Sequence, residues 1–318
     1  MTKLKTLTII IPFFNESGSI SIFIEQLKPV LLNLQKKINC KILFVNNGST
    51  DRSLITVKAL IQSKFFSSVP IGILTLTRNF GYETALIAGL THASSDYYCF
   101  CDSDGEDPVE LITSFLESME RGYTIAIGIR KGRFEPHSTK VFRRIAYAFL
   151  SKVSDDPFLR NAGNFSMFNE IVRMAILKEN QHFPFIRATF SRCGFPIHEI
   201  VHNRNRRIAG KSNFRNLNLL KFALAGFLTT TTWPLRFVVY LSIFSITAII
   251  VLQIMSSKPI DLEIIFYLEF FLFSAVVSIY MARIYKNIVN KPLFYVNWLE
   301  SESRNQYRWK TGGINGSV

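Results

Sequence analysis

YYCFCDSDGEDP, residues 97–108, sets an apolar run directly against four carboxylates, Asp102, Asp104, Glu106 and Asp107. Like charges a few Å apart repel strongly unless a cation sits among them. An Asp-x-Asp step at the end of a strand suits a hard cation, because oxygen-only ligands favour Mg2+ or Mn2+ bridging carboxylates to phosphates. A solvated acidic turn is the plain alternative, and the surrounding rhythm decides. TLTIIIP (6–12) reads as a buried strand, followed by a polar turn at Asn15 and Glu16 and an apolar helical spacing at Ile20, Phe23, Ile24 and Leu27. KILFVNNGSTD (41–51) repeats the pattern, with a helix from about Ser53. Further strands at 71–76 and 97–101 complete a β-α alternation, which predicts an α/β domain with a mostly parallel sheet. Ligands of such sheets bind at the carboxyl ends of the strands, where all three polar turns lie.

The chain has 318 residues, 48% of them hydrophobic, with a mean hydropathy of +0.20, high for a wholly soluble enzyme. With 37 Lys and Arg against 23 Asp and Glu, the formal charge of +14 calls for anionic partners. Two long apolar runs after residue 233 favour phosphorylated metabolites and membrane lipids over nucleic acid. Cys40, Cys99, Cys101 and Cys193 have no CxxC spacing and read as reduced residues of a cytosolic domain. The chain opens on a strand-like run, not on the charged, apolar, small-residue order of a signal peptide.

IIIPFFNE, FVNNGSTD, LTRNFGYETALIAGL and FCDSDGEDPVELI, in this order, resemble the successive motifs of the family 2 glycosyltransferases, in particular the polyprenyl-phosphate branch that includes dolichol-phosphate mannose synthase. The likeness continues through RNRRIAGKSNF and ARIYKNIVNKPLFYV and covers nearly the whole chain. It implies a GT-A nucleotide-sugar-binding fold and inverting transfer of a sugar from a nucleotide diphosphate, UDP favoured, to an undecaprenyl-type polyprenyl phosphate. By resemblance, the donor contacts fall on Pro12, Phe14, Glu16, Val45, Asn47, Asp102, Ser103 and Asp104, with Arg130 facing phosphate. Metal ligation falls on Asp104 and Glu106 with Asp102 close by, and catalysis on Asp102, Asp104, Asp107 and Asn164. Glu106 stands where Gln is usual, and keeps an oxygen ligand. Asn47 stands where Asp commonly reads the base; an amide can both donate and accept there.

Relatives have Asp where this chain has Asn161 and Asn164, the second usually discussed as a base. A lipid phosphate, with a second pKa of about 6, is already largely ionised at neutral pH and needs none. The double Asn is therefore expected to alter the sugar pocket and donor choice, leaving transfer intact. The basic stretch offers Arg204, Arg207, Lys211 and Ser212 around Gly210 for a phosphate of donor or acceptor, or for anionic lipid. HEIVH (198–202) matches a zinc-protease pattern by letter, but follows Gly194 and Pro196 in a strand-compatible run, so its histidines read as structural or surface residues. Residues 137–153 carry basic residues around an apolar side, as a membrane-surface helix or a plain amphipathic helix would.

Phe237 to Met255 and Ile264 to Ala282 are 19-residue apolar runs, each long enough for a bilayer core of about 30 Å. Basic residues before the first and after the second put both flanks in the cytoplasm, at the inner membrane. Glu269, inside the second run, is expected at a helix interface or subunit contact. QYRW (306–309) resembles a processive-polymerase signature by chance. The expected organisation is a cytoplasmic catalytic domain over 1–215, an interfacial helix over 216–234, two spans within 235–285 and a cytoplasmic tail over 286–318. Three functions stay open: transfer to polyprenyl phosphate, transfer to a preformed glycolipid or surface glycan, and a catalytically weak membrane scaffold. Homo-oligomerisation is open too.

Overall fold

The computed structural model describes residues 4–131, 148, 152–155, 159, 162–179, 184–205, 227–228, 231–255, 263–289 and 291–310. Most of the 137–153 helix, Asn161, most of the 216–234 helix, and Arg206, Arg207, Lys211 and Ser212 lie outside them.

Three β-α units build one half of an eight-stranded sheet. Strand β1 (Thr6–Phe13) leads to helix α1 (Ile20–Leu34), β2 (Asn39–Asn46) to α2 (Ser53–Leu60), and β3 (Ile71–Thr75) to α3 (Tyr82–His92). Then come β4 (Tyr97–Phe100), α4 (Leu111–Glu120), β5 (Ile125–Lys131), β6 (Ala162–Asn169), α5 (Glu170–Glu179), α6 (Ile186–Arg192) and β7 (Ile197–Asn203). Helices α7 (Trp233–Met255) and α8 (Glu263–Ile288) and strand β8 (Glu302–Arg304) follow. The strand order is β7-β5-β6-β4-β1-β2-β3-β8. β1, β2, β3 and β4 pair in parallel, as do β5 and β7, while β6 runs against β4 and β5, and β8 against β3.

Successive residues of a strand face opposite sides, so β1 serves two cores. Ile9 and Ile11 join Phe23, Ile24 and Leu27 of α1 on one face, and Ile10 joins Val45, Leu86 and Leu90 on the other. Fully burying such a side chain stabilises by about 1.5–3 kcal/mol. Gly89 lets α3 approach closely: a Cβ there would meet Ile10 at 2.5 Å and Val45 at 3.1 Å. Cys40, Cys99 and Cys101 are free and buried in this interior, and Cys193 is free and half-buried.

The two apolar helices form a hairpin; the candidate spans are Trp233–Met255 and Phe266–Ile288. By length and composition alone they are a weak indication of a membrane-associated protein. Glu269 is half-buried between exposed Leu268 and Phe270, and its Oε1 is buried with no hydrogen-bond partner among the described residues.

The stretch expected as a tail over 286–318 divides differently. α8 runs to Ile288, and residues 291–310 return to the sheet. Asn297 N donates to Thr75 O at 2.7 Å and Thr77 N to Tyr295 O at 3.0 Å. Asn305 Nδ2 donates to the carbonyls of Phe66 and Val69, and Tyr307 is buried against Gly72. Tyr307 and Trp309 of QYRW thus serve packing, Trp309 with its ring against Trp298 and His92.

Candidate active site

The strand directions bring the carboxyl ends of β1, β2, β4, β5 and β7 and the amino end of β6 to one edge of the sheet. That edge collects the residues named from the sequence. The 102–107 turn is built by alternation: Asp102, Asp104 and Glu106 are half-buried, whereas Ser103, Gly105 and Asp107 are buried. Gly105 takes a φ of 71°, a left-handed backbone that glycine adopts without strain. Ser103 Oγ donates to Pro12 O at 3.2 Å, tying the turn to the end of β1, and Glu106 N donates to Asp104 Oδ1 at 3.1 Å.

The four acids therefore have different environments. Asp102 accepts from the Tyr82 hydroxyl at 2.5 Å. Burial, with Asp104 and Asp107 adding repulsion, pushes its carboxyl up to about 7 despite that bond. Burial and the Asp102 charge in turn push the Tyr82 phenol well above its ordinary value. Asp107 is 3% exposed and fully engaged: Arg130 donates Nε to Oδ1 at 2.9 Å and Nη2 to Oδ2 at 2.6 Å, and His202 Nε2 lies 2.9 Å from Oδ1. Burial opposes the charge, but the bonds from His202 and Arg130 outweigh it and hold the carboxyl at about 2. Asp107, expected as a catalytic group, has Oδ1 engaged by Arg130 Nε and His202 and Oδ2 by Arg130 Nη2. Glu106 pairs with Arg204, and Asn205 N donates to Glu106 O at 2.8 Å. Two residues assigned separately to metal and acceptor thus hold each other.

Asn47 is likewise committed. Its Nδ2 donates to Asn79 Oδ1 at 3.2 Å and Gly81 O at 3.1 Å, and its Oδ1 accepts from Phe80 N at 3.0 Å. In place of an open base-reading amide, the structure has an anchor for the 79–81 turn. Val45 is fully buried toward Gly89, Phe14 is half-buried, and Glu16 Oε2 accepts from Ser19 Oγ at 2.5 Å just ahead of α1.

Asn164, near the amino end of β6, donates Nδ2 to Glu83 Oε1 at 2.9 Å, while its Oδ1 is buried without a partner among the described residues. Glu83 also accepts from Ile186 N at 3.3 Å. Burial raises the Glu83 carboxyl, with Arg187 and Asn164 opposing. Tyr82, Glu83 and His202 were not assigned to the site from the sequence. The available signal was the LTRNFGYETALIAGL motif, which carries two of them at the start of a helix facing this edge.

A hard cation can be tested against this donor set. Among the described residues no group of three or more His, Cys, Asp or Glu could hold a metal ion. Asp102 and Asp104 offer two carboxylates, with Glu106 bound to Arg204. Mg2+ in phosphate chemistry commonly takes one or two carboxylates and completes its shell with substrate phosphates and water, so two fit a substrate-borne ion. Burial first, and repulsion from Asp104 and Asp107 after it, disfavour the Asp102 charge, and a cation beside it would oppose both.

In sequence the chain is similar to known glycosyltransferases. A glycosyltransferase of Bacillus subtilis (strain 168), YkcC, itself described as uncharacterized, is 28% identical over 306 residues, 91% of this chain and 92% of its own. A bactoprenol glucosyl transferase of Shigella phage SfV is 30% identical over 243 residues, 75% of this chain and 76% of its own. Among solved structures, glucosyl-3-phosphoglycerate synthase from Mycobacterium tuberculosis, crystallised with Mn2+, UDP and phosphoglyceric acid, is 17% identical at a TM-score of 0.47, covering 69% of this chain and 75% of that one. The mixed, mostly parallel sheet is of GT-A type. Residues 8–181 match Glycosyl transferase family 2, and the chain belongs to that family.

Proposed function

We propose that the protein transfers one sugar, with inversion, from a nucleotide-diphosphate donor, UDP-linked in the favoured reading, to an undecaprenyl-type polyprenyl phosphate at the cytoplasmic face of a membrane. One observation carries this: Asp102 and Asp104 stand at the sheet edge with the Arg130–Asp107 pair, in a chain that also bears an apolar hairpin. The bactoprenol acceptor in the name of the phage relative supports the lipid acceptor.

A bound divalent cation, Mg2+ or Mn2+, would neutralise charge on the departing diphosphate. Asp102 and Asp104 would hold it, with Tyr82 fixing the orientation of Asp102. Arg130 spends Nε and one Nη2 hydrogen on Asp107, and its other N–H groups, which have no partner among the described residues, would serve a phosphate. The bond from the anomeric carbon to the donor's phosphate oxygen breaks as one to the lipid phosphate oxygen forms, and the electron pair leaves with the nucleoside diphosphate. An ionised phosphate brings no proton to remove, so Asn164 serves here without acting as a base. Held by Glu83, it lines the pocket of the transferred sugar.

Membranes containing the protein, incubated with a panel of labelled nucleotide sugars and polyprenyl phosphate, should yield a lipid-linked monophosphate sugar. Label on larger glycolipids would favour the glycan acceptor, and no label the scaffold. Asp104→Asn should reduce transfer by roughly 10²-fold or more, the scale of losing a preorganised charge-stabilising group, with membrane insertion unchanged. Unaltered transfer would overturn the assignment.

A further inference from the structure

The second histidine of HEIVH has a place that the sequence pattern does not suggest. On strand β7 the two histidines, four positions apart, fall on one face. His198 Nδ1 lies 2.8 Å from Ser118 Oγ, and its ring stacks on Tyr123 at 4.8 Å. His202 instead reaches the carboxyl edge of the sheet, where it is 7% exposed and bonded to Asp107. The Asp107 carboxylate only accepts, so Nε2 carries the proton, and Nδ1 is buried with no partner among the described residues. The ring fills space left by a glycine on the neighbouring strand: a Cβ on Gly128 would lie 2.9 Å from His202 Cε1. Phe165 meets it edge-on at 6.4 Å.

We propose that His202 is a positioning residue for the donor's diphosphate, acting through Asp107 on Arg130. This rests on the proposed transferase reading. Asp107 Oδ1 is shared by His202 Nε2 and Arg130 Nε, so the histidine fixes the plane of the carboxylate, and the carboxylate fixes the plane of the guanidinium. The fork geometry of a bidentate pair transmits that orientation. Arg130 is thereby held in one orientation by its two bonds to Asp107, within reach of the charges of Asp102 and Glu106. β7 also grips the same acidic turn one step further on, through Arg204 to Glu106 and Asn205 N to Glu106 O. Without His202 the turn keeps those two ties but loses the one that aims Arg130. A packing role alone would require shape and no donor; a positioning role requires an N–H directed at Asp107.

The test is equilibrium binding to the full-length protein in detergent, with UDP and GDP as probes, Mn2+ present, and uridine and guanosine as diphosphate-free controls. His202→Phe should weaken binding of the preferred nucleoside diphosphate roughly tenfold, the order of one charge-assisted hydrogen bond, and leave the nucleoside unaffected. His202→Gln, which keeps an N–H of similar reach, should bind within about twofold of wild type on the same reasoning. Should His202→Phe not fold, His202→Asn, whose shorter amide falls short of Asp107, carries the same expectation. Arg130→Ala should lose at least as much, and adding His202→Phe to it should lose nothing further, because the histidine acts only through the arginine. Wild-type diphosphate affinity in folded His202→Phe or His202→Asn, an equal loss on the nucleoside, or additive losses in the double variant would overturn the positioning role alone. A wild-type protein that binds neither diphosphate would overturn the transferase reading with it.

Discussion

At the residue scale, a side chain's commitments decide what it can do for a ligand. Asn47 gives both amide hydrogens and its oxygen to the 79–81 turn. Removing it leaves Phe80 N and Gly81 O without those bonds, at a cost of about 1–3 kcal/mol. Asn47→Ala should therefore shift the denaturant midpoint downward and weaken nucleotide binding together. A variant with wild-type stability but altered preference between UDP and GDP would instead make Asn47 a base reader. The same reasoning shows what a sequence can hold at this scale. Asp102 and Asp107 are the same letter five positions apart, yet one is pushed up to about 7 and the other held at about 2. The acidic cluster is visible along the chain. Its division into two half-buried carboxylates, an ion pair with Arg204 and a buried anchor is not, because the partners Arg130 on β5, His202 on β7 and Arg204 just after β7 come from later in the chain.

At the scale of elements, the repeated strands and first helices are legible because each carries a complete local signal, a β-branched run ended by a polar turn. β7 is legible for the same reason, despite its zinc-like letters. The C-terminal segment is not: β8 has three residues, Glu302, Ser303 and Arg304, and its reason to be a strand is the free edge of β3, more than 220 positions earlier. Its docking onto α3 yields a pH prediction. His92 Nδ1 faces Ala88 O at 2.9 Å, and its ring packs edge-on against Phe294, Trp298 and Trp309. Burial lowers the pKa of His92 from 6.5, with the Ala88 bond opposing. A depressed value means that the unfolded chain takes up a proton first as pH falls. The contribution of this packing is therefore full above 6.5 and declines below it. Proteolysis of the C-terminal segment should accelerate between pH 7.5 and 5.5, and His92→Phe should remove most of that slope. An unchanged slope in His92→Phe would assign the pH response elsewhere.

For the whole molecule, the apolar hairpin lies between two strands of one sheet, β7 before it and β8 after it. Ending the chain at residue 290 would strip Tyr307 from its seat on Gly72, remove the Asn305 bonds and uncover the β3 edge. Exposed edges template association. Such a truncation should melt earlier than wild type and elute as larger species in size-exclusion chromatography, even with both apolar helices present. A monodisperse truncation of wild-type melting temperature would show the segment to be dispensable. The pairing of β8 with β3 also constrains biogenesis. If the two helices cross a bilayer, the chain must re-emerge on the side from which it left, and the last strand is synthesised only after both helices. Until then the sheet is one strand short, so the β3 edge closes only after both apolar helices have been made.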